Sequence, residues 1–335
     1  MTLKVAINGF GRIGRLVARA IIEQQRNDIQ LVAINDPGGN FFPLLKYDSI
    51  HGRAPFEVER TDDEHMLIDG KEIHRFRSRD VREIDWTQEN VDIVFECTGK
   101  FTDREGASLH LASGAKKVLI SAPGKDEDLT VVYGVNHDKL AGGHKIVSNA
   151  SCTTNCLAPV AHVLNQAVGI ERGFMTTIHA YTGDQNTVDA SHRDPYRARA
   201  AAVNMIPTST GAAKAVGKVL PELSGKLDGV SIRVPVPNVS LVDLTFDAGK
   251  DTSVEDINAA MVAASQGPLK GILGVNKDPC VSHDFNHDPH SSIFDLNGTK
   301  VIDKRFVRVM TWYDNEWGFS CRMIDTALKM HTLGY

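Results

Sequence analysis

The sequence predicts an α/β protein in two parts. The first is a doubly wound, mainly parallel sheet over residues 1–150, completed by a C-terminal helix at 316–335. The second, at 151–315, is an α+β domain with a mixed, largely antiparallel sheet. Three observations carry this reading. Short apolar runs closed by Gly, Ser, Thr or Asn alternate with helical spacing in the first part. In the second part longer strands hold polar residues and lack regular intervening helices. A length of 335 residues, 42% hydrophobic and 24% charged, suits two ordinary globular domains.

In chain order, residues 3–8 form a β-branched strand, and Ile13, Leu16, Val17, Ala20 and Ile21 then recur at helical spacing. Residues 31–35 form the next strand, and 56–76 alternate polar with apolar around Asp69-Gly70, as an inserted hairpin does. Residues 91–95, 118–120, 131–133 and 146–147 are the remaining short strands. Beyond them, residues 174–180, 230–236, 241–246 and 305–312 read as longer strands, with a helical face at Val254, Ile257, Met261 and Ala264. Residues 191–209, with Pro195, Pro207 and several arginines, read as a long ordered loop, and such loops tend to be functional or to lie at interfaces. Cys321, Ile324 and Leu328 mark the closing helix.

The net charge of −5 gives no reason to expect a nucleic-acid or membrane partner, and no apolar run approaches bilayer length. Met1–Gly9 lacks the pattern of a signal peptide. Five scattered cysteines suit a reducing compartment, so the expected location is the cytoplasm.

Gly9-Phe10-Gly11-Arg12-Ile13-Gly14 follows the first strand and opens the first helix, with Asp36 closing the second strand. Glycines there allow a tight turn, close approach of backbone to a pyrophosphate, and helix–strand contact, while the helix N-terminus attracts phosphate. The context is that of a Rossmann-type dinucleotide-binding domain. Asp36 would accept both ribose hydroxyls and repel a 2′-phosphate, which favours NAD.

Ser148–Pro159 is rich in capping residues and then turns apolar, so Cys152 falls in or near the first turn of a helix. The helix field and a nearby imidazole lower a thiol pKa, which would give a thiolate at neutral pH. Spacing alone leaves Cys152 open between a reactive thiol and a small buried residue. Cys156, one turn on, reads as packing, and His179 ends an apolar strand at the rim of a sheet. His283, His287 and His290 invite a metal reading, but Asn286, Asp288 and Pro289 argue for a loop, so no metal is expected. Ser151, Thr153, Thr182, Thr208, Thr210, Gly211, Arg197 and Arg233 supply anion donors in the second half. Arg233 lies inside an apolar strand and needs an anion partner, which an internal carboxylate or a phosphate ester would serve equally.

Four blocks in order, Asn8–Arg15, Ser148–Pro159, Pro207–Lys214 and Trp312–Gly318, resemble phosphorylating glyceraldehyde-3-phosphate dehydrogenase of the bacterial type. The resemblance implies that Cys152 attacks the aldehyde of glyceraldehyde 3-phosphate with His179 as base. A hemithioacetal and then a thioester form on Cys152, and inorganic phosphate releases 1,3-bisphosphoglycerate. It further implies that Thr182 and Arg233 hold the substrate phosphate, while Ser151, Thr210, Gly211 and Arg197 hold the attacking one. For NAD it implies Arg12 and Ile13 at the pyrophosphate, Asp36 at the adenosine ribose, Arg79 and Ser121 on the adenine side, and Asn315 at the nicotinamide amide. The family is a homotetramer, and residues 191–209 match a loop that reaches toward a neighbouring subunit. Ser191 stands where many NAD-specific members have proline, and Pro37-Gly38-Gly39-Asn40 departs from the common form. Residues 284–290 also resemble erythrose-4-phosphate dehydrogenase, a sister family that lacks the Thr208–Gly211 loop.

Overall fold

A computed structural model describes residues 2–38 and 41–335, so Gly39 and Asn40 of the divergent segment after Asp36 lie outside the described residues. The chain divides into two compact units, Met1–Ser151 with Ser320–Tyr335, and Cys152–Phe319.

In the first unit β1 (Leu3–Asn8) leads through the glycine turn into α1 (Arg12–Glu23), whose apolar stripe at Leu16, Val17, Ala20 and Ile21 is buried. There follow β2 (Ile29–Asn35), the short α2 (Phe42–Lys46), and the small ribbon of β3 (Tyr47–Asp48) and β4 (Gly52–Arg53). Next come β5 (Val58–Arg60), β6 (His65–Ile68) and β7 (Lys71–Phe76). The expected hairpin is β6–β7, and its turn residues Asp69 and Gly70 have φ of 52° and 71°, the left-handed pair a two-residue turn requires. Then β8 (Ile93–Glu96), α3 (Arg104–Ala112), β9 (Lys117–Ile120), β10 (Leu129–Thr130) and β11 (Ile146–Ser148) complete a nine-stranded sheet. Its order is β10-β11-β9-β8-β1-β2-β7-β6-β5, parallel from β10 to β7. The chain leaves β1 toward β2 and later returns to its other side at β8, so the topological switch lies between the ends of β1 and β8.

The strand expected at 131–133 forms earlier, at β10. The Asn136 side chain accepts from Val132 N at 2.8 Å and donates to Thr130 O at 2.9 Å, which turns the backbone out of the ladder while Val131 and Val132 remain buried.

The second unit begins at α4 (Cys152–Val168) and continues with β12 (Ile170–Ala180), β13 (Ile206–Ser209), α5 (Ala212–Val219), β14 (Leu227–Val234), β15 (Ser240–Ala248) and α6 (Val254–Gln266). It closes with β16 (Leu273–Asn276), β17 (Ser292–Ile302) and β18 (Phe306–Tyr313). The sheet order is β13-β14-β12-β15-β18-β17-β16, parallel at β12–β14 and β16–β17 and antiparallel elsewhere. This is the mixed, largely antiparallel sheet the sequence predicts. Residues 206–209, expected in the long loop, instead pair with β14, so Thr208 and Ser209 sit on an edge strand. β17 has no counterpart among the expected strands. Its apolar run is interrupted at Asn297-Gly298-Thr299, where the register shifts. The closing helix α7 (Trp317–Thr332) enters the first unit from Ser320 onward. Among the described residues no helix is long and apolar enough to cross a membrane.

Candidate active site

In the first unit the glycine turn has little steric freedom. Gly9 has φ +91°, and a Cβ there would stand 2.7 Å from Thr98 N; one on Gly14 would stand 2.2 Å from Gly9 O. Gly11, by contrast, faces open space, and as N-cap of α1 it leaves the helix without a side-chain cap. Exposed backbone N–H groups with room before them fit a pyrophosphate. Arg12, at the helix start, pairs with the buried carboxylate of Asp48, and Ile13 is half-buried. Beside this turn a cleft of about 290 Å³ is lined by Asn8, Asn35, Gly38, Arg79, Thr98 and Phe101. Asp36 sits between lining residues and accepts from Gly38 N at 2.6 Å. Ser121 hydrogen-bonds the Cys97 thiol, which burial pushes up to about 12.

In the second unit Cys152 is the first residue of α4, where the sequence puts it. His179 is next to last in β12, and the parallel register seats it directly beside Arg233 of β14. Cys152 Sγ lies 3.6 Å from His179 Nε2. His179 Nδ1 is 2.6 Å from Ala180 O, an acceptor only, so Nδ1 carries the hydrogen and Nε2 is left as the base facing sulfur. Arg233 Nη1 donates to the same carbonyl at 3.1 Å and to Thr182 Oγ1 at 3.3 Å. Its Nε is buried without a hydrogen-bond partner.

The electrostatics correct the expectation of a resident thiolate. Burial pushes the Cys152 thiol up, opposed by Arg233 and by hydrogen bonding at Thr153. Burial and then Arg233 drive His179 down to about 3. Each group on its own is held neutral because neither charge is solvated. A proton passing from Sγ to Nε2 creates both charges together, and the helix N-terminus and Arg233 then favour the thiolate.

The anion donors divide. Thr182 and Arg233 meet beside His179. Arg197 is bound to Asp184, lies 3.5 Å from Asp194, and donates to Thr208 Oγ1 at 3.0 Å, so carboxylates already offset its charge. Thr210 and Gly211 precede α5; Thr210 Oγ1 accepts from Ala212 N, and Gly211 faces open space. Ser151, the residue before α4, belongs to the first unit. Cys156 packs inside, its sulfur 3.6 Å from Ser292 Oγ. Of the histidine cluster, His287 stacks on Trp317 and His290 Nδ1 is 2.8 Å from Asp288.

Two participants escaped the sequence reading. Tyr313 OH lies between Thr153 Oγ1 (2.8 Å) and Thr177 Oγ1 (2.9 Å), tying the start of α4 to β12. Ser240 Oγ accepts from Ala180 N at 3.0 Å and so donates to Asn315 Oδ1 at 2.8 Å, which fixes that amide's orientation. Both arrive from strands distant in sequence, and neither belongs to a pattern that periodicity detects.

Comparison with known proteins gives two family matches. Residues 3–104 match the family model described as glyceraldehyde 3-phosphate dehydrogenase, NAD binding domain, and residues 151–315 match the C-terminal domain of the same family. Similar proteins named glyceraldehyde-3-phosphate dehydrogenase include those of Cereibacter sphaeroides (60% identity, 99% of this chain and 100% of the relative) and Xanthobacter flavus (62%, all of both chains). That of Pseudomonas aeruginosa is 59% identical over 98% of each.

Proposed function

The chain belongs to the glyceraldehyde 3-phosphate dehydrogenase family, with NAD as its cofactor, and from that premise we propose that it oxidises and phosphorylates D-glyceraldehyde 3-phosphate to 1,3-bisphosphoglycerate. The observation that carries the reading is the Cys152–His179 contact, with Thr182 and Arg233 beside it as donors for a phosphate ester. The relatives' names favour this substrate over erythrose 4-phosphate.

Bound NAD supplies the hydride acceptor. His179 Nε2 takes the proton of Cys152, the sulfur adds to the aldehyde carbon, and the proton returns to the new oxygen to give a hemithioacetal. As hydride leaves that carbon, His179 takes the hydroxyl proton again and the thioester remains on Cys152. Inorganic phosphate attacks the thioester carbon and the Cys152 sulfur departs. The Ala180 carbonyl holds His179 in the tautomer this sequence needs.

Thr182 and Arg233 hold the substrate phosphate. Ser151, Thr153, Thr210, Gly211 and Arg197 serve the attacking phosphate and the start of α4. Gly9, Gly11, Arg12, Ile13, Asp36, Arg79 and Ser121 would hold NAD, and Asn315 would hold the nicotinamide amide. We assign the NAD-binding domain to residues 1–150 with 316–335 and the catalytic domain to 151–315, bounds that differ by a few residues from the two compact units. Free thiols throughout support a cytoplasmic location. An uncovered face of the second sheet, carrying Phe174, Val230 and Phe306 at 49%, 40% and 46% exposure, supports a homotetramer.

The test is NADH formation from glyceraldehyde 3-phosphate with and without inorganic phosphate, with erythrose 4-phosphate in parallel. Phosphate-dependent turnover of the triose is expected. Turnover indifferent to phosphate, or preference for the tetrose, would overturn the substrate and the second phosphate site.

A further inference from the structure

In the second unit the arginine assigned to the attacking phosphate already holds an internal anion. Arg197 stands in the long segment between β12 and β13, and every nitrogen of its guanidinium is engaged. Nε donates to Thr208 Oγ1 at 3.0 Å, Nη1 donates to Asp184 Oδ2, and Nη2 reaches Ser209 O at 3.5 Å. Thr208 and Ser209 end β13, directly before Thr210 and Gly211.

The two carboxylates beside Arg197 are held in unlike ways. Asp194 accepts from Thr208 Oγ1 at 2.8 Å and from Tyr196 N at 2.9 Å, while its own N–H donates to His192 Nδ1 at 2.9 Å. It is a fixed part of the loop. The Asp184 side chain is 41% exposed, meets Arg197 with one oxygen and lies 3.6 Å from His192 Nε2 with the other. Among the described residues no backbone N–H binds its carboxylate. Desolvation would raise the Asp184 pKa, but Arg197 and then His192 outweigh it and hold the carboxyl below its ordinary value. Asp184 is therefore charged at neutral pH and occupies Arg197 as an anion would.

An ion pair this exposed contributes little, because water and salt screen it. Exchanging it costs correspondingly little. A phosphate dianion carries more charge than the carboxylate it replaces and offers Nη1 an equivalent oxygen. The Nε bond to Thr208 stays in place, and Asp184 keeps His192 as a neighbour.

We propose that Asp184 is a displaceable counter-ion on the attacking-phosphate site: inorganic phosphate binds by exchanging with its carboxylate on Arg197, while Thr208 and Asp194 keep the guanidinium in position. The proposal rests on the reading of Arg197 as a ligand of that phosphate. Asp184 is thus a positioning residue that sets how much phosphate the thioester step requires.

Calorimetric titration with inorganic phosphate tests this in an R233M background, which removes the main donor of the other phosphate site. Adding D184N or D184A is expected to tighten phosphate roughly two- to fivefold, the factor an exposed ion pair is worth. Adding R197M should weaken it at least severalfold. A gain in affinity cannot come from a damaged fold. In steady state the KM for phosphate of D184N alone should fall by the same factor. Phosphate binding unchanged or weaker in both Asp184 variants, with R197M still weakened, would overturn the exchange and leave the role of Arg197 standing. If R197M binds phosphate as its background does, the placement of phosphate at Arg197 fails, and the exchange with it.

Discussion

At the scale of single residues, the proposed chemistry depends on how a half-buried, desolvated thiol becomes nucleophilic. Desolvation opposes charge on Cys152 and on His179 alike, so reactivity comes from moving one proton across 3.6 Å and from the positive field around the sulfur. Alkylation of Cys152 by iodoacetamide near pH 7 should therefore slow in H179N, which lacks the base, and in R233M, which lacks the charge. An unchanged rate in both variants would show that the helix N-terminus alone activates the thiol. Oxidation should follow the same selectivity, because Cys97 and Cys156 are pushed up to about 12 by burial. Peroxide should thus inactivate through Cys152 before the other thiols react, as peptide mapping of the modified protein would reveal.

A second residue-scale prediction concerns Asp48. Desolvation would raise its pKa, but backbone hydrogen bonds from His51 and Ile50 and the Arg12 guanidinium outweigh that, so its carboxyl titrates below the ordinary value. Its stabilisation is present above the unfolded-state pKa and is lost as pH falls through the folded-state pKa. D48N should cost about 1–3 kcal/mol at neutral pH, and the difference from the parent should shrink in acid. Denaturant melts at both pH values measure this, and a deficit independent of pH would argue for a packing effect instead.

At the scale of elements, the register of β12 against β14 is what makes the site, because it brings His179 to Arg233. Gly229 pairs with Met175 in that ladder, and a Cβ there would stand 2.6 Å from Met175 O. G229A should destabilise the protein by about 1–3 kcal/mol and lower kcat through displaced His179 and Arg233. Calorimetry with steady-state kinetics would separate these effects, and a stable, fully active variant would remove the register from the account. In the first unit G14A meets the backbone carbonyl of Gly9. It should weaken NAD binding at least tenfold, by an order-of-magnitude reading of the glycine turn's role, while leaving intrinsic alkylation of Cys152 in place. Equilibrium binding and the alkylation rate together check both halves of that statement.

At the scale of the whole molecule, the second sheet has two unlike faces. Met175, Thr177, His179, Val242, Leu244, Val307 and Val309 are buried on one, while Phe174, Val230 and Phe306 on the other stay open in the single chain. The proposed homotetramer would cover such a face, so V230E and F174E should shift the mass in sedimentation below that of a tetramer. A parent protein that sediments as a monomer would refute the assembly outright.

The sequence by itself determined the class of both sheets, the glycine turn, the acid at the end of β2 and the position of Cys152 at a helix start. Each of these is local: periodicity, a turn requirement or a cap acts within a few residues, and the physics can be read where it is written. The tertiary structure decided the rest. Tyr313 and Ser240 reach the site from strands that pair only in the folded sheet, so no short window holds the signal. β17 exists because β18 and β16 offer it ladders on both sides, against its own broken apolar pattern. Whether Cys152 is a thiol or a thiolate depends on desolvation, and Arg233 stands beside His179 only because β14 pairs with β12. Both are properties of surroundings assembled from residues far apart in the chain, and burial is the quantity that a sequence states least directly.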